Sequence, residues 1–474
     1  MTLRRSKSMG RVAVFVLTTA LSSAVWAQNL RYDNHREVAV PEYATIQFGP
    51  FHSSWATLLT VGYRHVETSG AGTDFLFSGS RGRLKKDGDD LPIIFGLDTR
   101  NYLVIGPHTD LDVSVSFRYE YYPLDTQEDA FRVFLPGEGI NANLSMEFAP
   151  ALYFRMRVWD AFAWSTDYID TRGLDDRNGG RRFQSIVNRF GIDGDILLAR
   201  RQNLGFGAAR HDTWPQDDGW EEQEIVAHLA YALYEYQVAE YATMGVRAGL
   251  GHTDYAATNR ASSLFTDYKA MLATRLTEQS TLDIFGGYAI GTIEGSANEA
   301  EETSTVIYGA GMRTELSPTL NHGLVYTHGM REGYNASFDE FDQLRYDIHW
   351  TGDFWSWSAY TGLMTSDPSA TNVTGYTDWT SGLTGEIPLL PYLSLLTSAL
   401  YSERSNDAGD DPAADPELRG DYNTLALRVG TELRLDEEWN LTASVEHIER
   451  DGDDDALDYT RDIYSIFLTY RHEL

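Results

Sequence analysis

Apolar and polar residues alternate along most of this chain. The clearest alternation runs from Leu425 to Leu435, where every second residue is apolar or nearly so and Arg428 and Glu432 lie between. Successive side chains of a strand point to opposite faces, so this stretch predicts a strand with one apolar and one polar face. A short acidic turn at 436–438 follows, and the alternation resumes at Leu441. The pattern therefore predicts a β-hairpin with a tight turn.

The unit of strand, short turn, strand and long loop repeats from Trp55 onward, without helical periodicity. About twenty segments meet the alternation criterion. Short connections, among them 149–150 and 388–391, alternate with long polar ones such as 405–420. This alternation is typical of membrane barrels. We predict an all-β fold, a single closed antiparallel transmembrane β-barrel of about 20 strands (between about 18 and 22), with short periplasmic turns and long external loops.

A soluble β-sandwich is the main alternative fold, because any sheet with one apolar face must bury that face. Two features favour lipid instead. Charged residues occupy strand centres, which a water-filled lumen tolerates, and aromatic residues lie near strand ends, where they form girdles at the bilayer interfaces. The aromatic residues are Tyr119, Tyr121, Tyr122, Trp159, Trp164, Tyr401, Trp439 and Tyr470. The sheet must also close, because an open edge in lipid leaves unpaired backbone groups.

The N-terminal residues predict export from the cytoplasm. Cationic residues precede an apolar run at 12–24, and Ala27 ends a cleavage-site pattern typical of a bacterial signal peptide. The run is short for a membrane anchor, the alternative interpretation. We predict a signal peptide at 1–27, an N-terminal periplasmic segment at 28–54 and a barrel at 55–474 in the outer membrane of a Gram-negative bacterium.

Composition narrows the possible partners. The net charge of −32 argues against nucleic acid, whose phosphates need a basic surface. The chain has no Cys, so disulfides and thiolate metal ligands are excluded. Carboxylates at 451–455 resemble the start of a calcium loop, but Ala456 stands where the sharp turn needs Gly. No nucleophile elbow, phosphate loop or zinc-protease motif is present. We therefore predict no catalytic residue, no metal site, no cofactor and no enzymatic activity.

Charged residues on the polar strand faces are predicted to line the lumen. Because they carry both signs, they either create a field across a constriction or pair across neighbouring strands. The predicted lumen-lining charges are Asp112, Arg118, Glu120, Arg155, Arg157, Arg313, Arg345, Arg428 and Glu432.

The predicted external loops are acidic. Such loops attract cations to a pore mouth, or bind divalent cations that bridge to anionic lipopolysaccharide. The alternative is that they only keep the surface solvated. The acidic loop residues are Glu299, Glu301, Glu302, Asp410, Asp411, Asp453, Asp454 and Asp455.

The stretch from Gln47 to Phe51, which runs into 55–63, carries a family resemblance together with the signal peptide and the repeated Leu-bounded turns, such as 198–204 and 435–441. It resembles a family of outer-membrane barrels, the type-2 β-barrel porins, over nearly the whole mature chain. The resemblance implies an outer-membrane pore without supplying a substrate, and it implies polysaccharide export as an alternative.

The sequence favours passive, weakly cation-favouring diffusion of small solutes. Two alternatives stay open. One is a dedicated channel for oligosaccharide or polysaccharide export or uptake, which rows of Tyr and Trp in the lumen would favour. The other is a non-conducting surface adhesin or structural barrel. The expected partners are outer-membrane lipid and lipopolysaccharide, the barrel-assembly machinery, and small solutes or saccharides, with the oligomeric state left open.

Overall fold

A computed structural model describes residues 45–70, 88–121, 123, 131–132, 140–151, 153–166, 184–215, 224–256, 262–294, 300–332, 338–352, 355–368, 375–406, 421–453 and 458–473. The predicted signal peptide lies outside these ranges. Among the described residues, no helix has the length and apolar character needed to cross a membrane. The strands are β1 (Ile46–Phe48), β2 (Phe51–Ser69), β3 (Gly88–Asp90), β4 (Ile93–Gly106), β5 (Thr109–Tyr121), β6 (Phe131–Arg132), β7 (Ile140–Ala151), β8 (Phe154–Thr166), β9 (Gln184–Ala199), β10 (Gln202–Pro215), β11 (Ile225–Ala239), β12 (Ala242–Tyr255), β13 (Ser263–Arg275), β14 (Ser280–Glu294), β15 (Ala300–Ser317), β16 (Leu320–Glu332), β17 (Phe338–Thr351), β18 (Ser356–Pro368), β19 (Tyr376–Leu390), β20 (Leu393–Asn406), β21 (Tyr422–Arg434), β22 (Trp439–Gly452) and β23 (Tyr459–Glu473).

Twenty of these strands form one closed antiparallel barrel, which confirms the predicted fold class and strand number. Strand β2 closes the sheet, because Thr60 lies opposite Ile94 of β4 on one side and opposite Thr469 of β23 on the other. The first barrel strand starts at Phe51 rather than at Trp55, since its first residues already pair with β4. The short strands β1, β3 and β6 are extensions, of which β3 and β6 prolong β4 and β7 at the end with the long connections.

The strand register separates a lipid face from a lumen face. On β21, Leu427 and Val429 are exposed on the outer face, whereas Ala426 and Gly430 are buried on the inner face. Val429 lies directly opposite Val445 of β22, which is also exposed. Apolar side chains thus face outward, as membrane barrels require.

The Leu-bounded turns lie at the periplasmic rim. The first Leu of each repeat, on the outer face of a strand end, is about half exposed. These positions place an apolar side chain at the inner bilayer interface, where girdle residues anchor a barrel. The Leu residues are Leu198, Leu276, Leu316 and Leu435, and exposed aromatic residues at other short turns are Tyr153, Tyr241, Trp355 and Tyr392.

Two predicted short turns are shifted in the structure. Pro150 and Pro388 were expected in turns but lie inside strands, because β7 continues to Ala151 and β19 to Leu390. Both prolines lie at register irregularities. A proline is tolerated at such a bulge, because its missing N–H removes no regular ladder hydrogen bond.

The barrel wall is irregular between β15 and β16. Their pairing stops at Tyr308 opposite His328, although β15 continues toward the extracellular end on β14 and β16 continues on β17. We call the described residues beyond this point, 329–332 and 338–341, the β16–β17 tip.

The β16–β17 tip lies on the lumen side of the neighbouring wall. By strand parity Met330 and Phe338 belong to the outer face of the tip, yet they pack against Ala289 and Ile307, which belong to the inner face of β14 and β15. This packing is possible only if the tip bends inward over these strands. The extracellular half of the lumen is therefore narrowed on this side.

Candidate functional site

The lumen is the candidate functional site, because the inner faces of all barrel strands meet there and carry most of the strand charges. Glu120 holds a backbone position on this inner face, and its side chain lies outside the described residues. The other predicted charges on the inner face are Asp112, Arg118, Arg155, Arg157, Arg313, Arg345, Arg428 and Glu432.

Arg118 is held against the wall by a carboxylate on the adjacent strand. Its Nη1 and Nη2 donate to the two oxygens of Asp98, each at 2.8 Å, and the Ser116 hydroxyl donates to Asp98 at 2.7 Å. Such two-pronged pairs are the strongest charge-assisted hydrogen bonds. Sequence reasoning missed Asp98, although its even position on β4 gives it the same face as Arg118.

A second cluster joins β7, β8 and β9. Arg157 donates to Asp193 Oδ1 from Nε at 3.2 Å and from Nη2 at 3.0 Å, and the Trp159 indole N–H donates to the same oxygen at 2.7 Å. Arg155 Nε lies 2.9 Å from Glu147. The prediction that Trp159 belongs to a bilayer girdle is wrong, because its ring faces the lumen with Arg155 and Arg157.

A third cluster on β12 and β13 contains the most buried carboxylate of the three. Asp267 Oδ2 accepts from Arg247 Nη1 at 2.9 Å and lies 3.2 Å from Lys269 Nζ. The Asp267 side chain is only 5% exposed. Gly249 leaves the space for it, since a Cβ there would overlap Asp267 Oδ1.

Guanidinium groups also stack on aromatic rings of the inner face. A cation over a ring is held by the ring's negative face, so these charges too stay close to the wall. The pairs are Arg345 with Tyr360, Arg404 with Tyr376 and Arg450 with Tyr422, at 4.9, 3.9 and 3.8 Å from guanidinium carbon to ring centroid. Single Tyr rings therefore lie on the inner faces of β18, β19 and β21, and an Arg covers one face of each ring.

The charged side chains of the described lumen are distributed along the wall rather than gathered at one point. Charges of both signs are paired along the wall, and the pairs of these three clusters join neighbouring strands or, as for Asp267 and Lys269, residues of one strand. In the ranges that the structure describes, no three His, Asp or Glu side chains converge as metal ligands.

The acidic loop residues are described only in part. Glu301 and Glu302 were predicted in a loop but belong to strand β15, because they pair with Ile293 and Thr292 of β14. Asp453 is exposed just beyond β22. The side chain of Glu301 and the residues Glu299, Asp410, Asp411, Asp454 and Asp455 lie outside the described part of the chain.

Comparison with known proteins defines the fold and no family. No family model matches the chain, and no curated protein is significantly similar. The FrpB iron transporter from Neisseria meningitidis (F5-1 variant) is similar with a TM-score of 0.50 at 9% identity, covering 88% of this chain and 82% of that chain. Two Pseudomonas aeruginosa structures are also similar. OpdK with vanillate has a TM-score of 0.41 at 9% identity, covering 89% of this chain and 99% of that chain. OccK2 (OpdF) has a TM-score of 0.43 at 11% identity, covering 89% of this chain and 98% of that chain.

The closed barrel, its apolar outer face and its charged lumen define a bacterial outer-membrane β-barrel protein. The predicted location in the outer membrane of a Gram-negative bacterium is confirmed. The finer resemblance to type-2 β-barrel porins stays a prediction, because no family model supports it.

Proposed function

We propose that this protein is a non-enzymatic outer-membrane channel for passive, weakly cation-favouring diffusion of small solutes. The observation that carries the proposal is the division of the wall into an apolar outer face and an inner face of charged and polar side chains. An interior of this kind binds water, and hydrated solutes pass through such interiors in porins. The fold similarity to an iron transporter is in keeping with solute passage and names no substrate.

The expected selectivity is weak because of where the charges lie. Within the described lumen, carboxylates such as Asp98, Asp193 and Asp267 are paired with Arg or Lys, so their fields largely cancel. The chain as a whole carries −32, which makes the surroundings of the lumen negative. A negative potential at a pore mouth raises the local cation concentration, and salt screens it.

We expect discrete conductance steps when the refolded barrel is inserted into a planar bilayer. In a salt gradient the reversal potential should favour cations at low ionic strength. The preference should fade near 1 M salt, where the Debye length falls to about 3 Å. Silence from a barrel shown to be folded by heat-modifiable gel migration would refute the channel and favour the adhesin. A reversal potential toward anions would refute only the cation preference.

An oligosaccharide channel is the second candidate, favoured by the lumen-facing rings of Trp159, Tyr231 and Tyr360. Aromatic rings in polar passages can stack on the apolar faces of sugar rings. The Tyr360 ring shares the inner face with Arg345, which stacks on it. This candidate predicts that sugars pause in the lumen rather than diffuse freely.

If sugars bind these rings, malto-oligosaccharides added to one side will interrupt the ion current. Tyr360→Ala should then weaken the apparent affinity about fivefold, the equivalent of about 1 kcal/mol for one ring contact. Leu363→Ala on the lipid face of the same strand is the matched control and should leave the interruptions unchanged. Current without interruptions at any sugar concentration would exclude this candidate and leave the general channel intact.

A further inference from the structure

The extracellular part of β15 has a partner on one side only. Within the described residues, β15 pairs with β14 from Ala300 to Thr314 but with β16 only from Tyr308 to Ser317. The backbone from 300 to 307 therefore presents a strand edge toward the place where β16 would continue. An edge of this kind is a template for one more strand.

Apolar packing holds the β16–β17 tip against the inner face of the neighbouring strands. Phe338 is 1% exposed, and its ring lies 6.2 Å from the ring of Phe265 at an interplanar angle of 28°. Gly291 makes room for it, since a Cβ at that position would lie 2.7 Å from Phe338 Cγ. Met330 belongs to the same buried apolar cluster, together with Ala289 and Ile307.

The inner face of the tip contacts strands β18 and β19 through Arg331. Arg331 Nη2 donates to the Tyr376 hydroxyl of β19 at 2.6 Å, and Arg331 Nη1 lies 3.6 Å from Met364 Sδ of β18. The guanidinium carbon also lies 5.4 Å from the centroid of Phe341 within the tip. The tip thus spans from the inner face of β13–β15 to the inner face of β18–β19.

A second position for the tip follows from the register. If the β15–β16 ladder continued past Tyr308 and His328, Met330 would lie opposite Val306 and Arg331 opposite Thr305. Val306 is exposed on the lipid face, so Met330 would gain an apolar neighbour there. Arg331 would stay on the lumen face. Each side chain keeps a suitable environment, because strand continuation preserves the alternation of faces.

We propose that the β16–β17 tip is a two-position element that controls the width of the extracellular lumen. Folded inward, it narrows the passage and leaves the β15 edge without a strand beside it among the described residues. Zipped onto β15, it completes the wall and widens the passage. In the inward position the tip has the apolar packing and the Arg331 contacts but lacks ladder hydrogen bonds to β15. In the other position it has those hydrogen bonds and lacks the apolar packing and the Arg331 contacts. The proposal deepens the channel function proposed above and rests on it for its conductance readout.

Cysteine pairs can trap each position, because the chain has no Cys of its own. Val306→Cys with Met330→Cys should form a disulfide only when the tip is zipped onto β15. Gly291→Cys with Phe338→Cys should form one only when the tip is folded inward, since the distance to Phe338 Cγ brings the two Cβ atoms into disulfide range. Met312→Cys with Leu324→Cys is the control, because these lipid-facing residues are opposite each other below the branch point in both positions.

Each pair is oxidised in reconstituted membranes, scored by gel mobility, and recorded in a bilayer before and after reduction. We expect all three disulfides to form. Oxidation of the 306–330 pair should raise the unit conductance, and reduction should abolish the gain. Oxidation of the 291–338 pair should lower conductance or leave it at the reduced level, and the control pair should show no change.

Other outcomes overturn the proposal. If the 306–330 pair fails to cross-link while the other two succeed, the tip has one position only. If that pair cross-links without a change in conductance, the tip moves but does not control the passage. If every variant is silent in the bilayer, the channel function fails, and the gel result still decides whether two positions exist.

Discussion

Replacing Asp267 with Asn is expected to lower the free energy of unfolding of the barrel by about 3 kcal/mol. The carboxylate pairs with both Arg247 and Lys269, which lie directly opposite each other on β12 and β13. Without its charge the two cations face each other with little compensation. The value is at the lower end for buried pairs, because both cationic side chains remain 20% exposed to the lumen. Urea unfolding of the barrel in lipid vesicles measures the loss.

Glu432→Gln is the matched control for this substitution. Glu432 also faces the lumen and accepts from Asn440 Nδ2 at 2.9 Å, a hydrogen bond that a Gln oxygen can accept equally. We expect its cost to stay within about 0.5 kcal/mol. If Asp267→Asn costs no more than the control, then Asp267 does not hold the two cations together and the cluster is solvated. Asp267→Asn should also shift the reversal potential toward anions.

Val429→Arg is expected to destabilise the barrel by about 2–4 kcal/mol, the range for a cation at the lipid face near the bilayer midplane. Val429 lies near the middle of β21, opposite Val445, with its side chain on the outer face. The guanidinium group must there be dehydrated or must draw water into the bilayer. Unfolding of the variant in vesicles, compared with the unmodified barrel, gives the cost.

Thr442→Arg provides the control on the neighbouring strand. Thr442 faces the lumen directly opposite Glu432, so an Arg there gains a partner of opposite charge and keeps its water. A cross-strand pair of this kind changes stability by about 0.2–1 kcal/mol at most. Equal destabilisation by the two variants would mean that the assignment of lipid and lumen faces in this hairpin is incorrect.

The strands and their faces could be predicted from the sequence because a side-chain period of two is a local property. The hairpin from 425 to 446 needs no distant information to show which side is apolar. The positions of the turns were harder to predict from the sequence. Pro150 and Pro388 are turn signals by type, yet each lies at a bulge that only the pairing of two strands creates.

Only some of the residues in the lumen clusters could be predicted from the sequence. Arg118 and Arg157 are visible as charges on polar faces, whereas the carboxylate beside each of them depends on the register between strands. Asp98 and Asp193 were missed for this reason. Trp159 is different, because its odd position, shared with Arg157 on β8, already gave the signal that it faces inward.

The inward bend of the β16–β17 tip lies beyond any local pattern. Met330 is an apolar residue at an outward position and therefore reads as lipid-facing. It is packed in one buried cluster with Ala289 of β14, a strand with which β16 does not pair. Such packing depends on the end of the β15–β16 ladder, which the side-chain alternation does not encode.

The pairing of β2 with β23, which closes the barrel, determines when in folding the barrel can close. The hydroxyls of Thr60 and Thr469 meet at 3.0 Å across a sequence separation of 409 residues. Contacts of such high separation form late, because the chain entropy of closing the loop must be overcome before they contribute. An arrested chain that ends before β23 leaves the edges of β2 and β22 unpaired, and each unpaired backbone group costs several kcal/mol in lipid. Insertion and closure of this barrel must therefore be coupled, and both wait for its last strand.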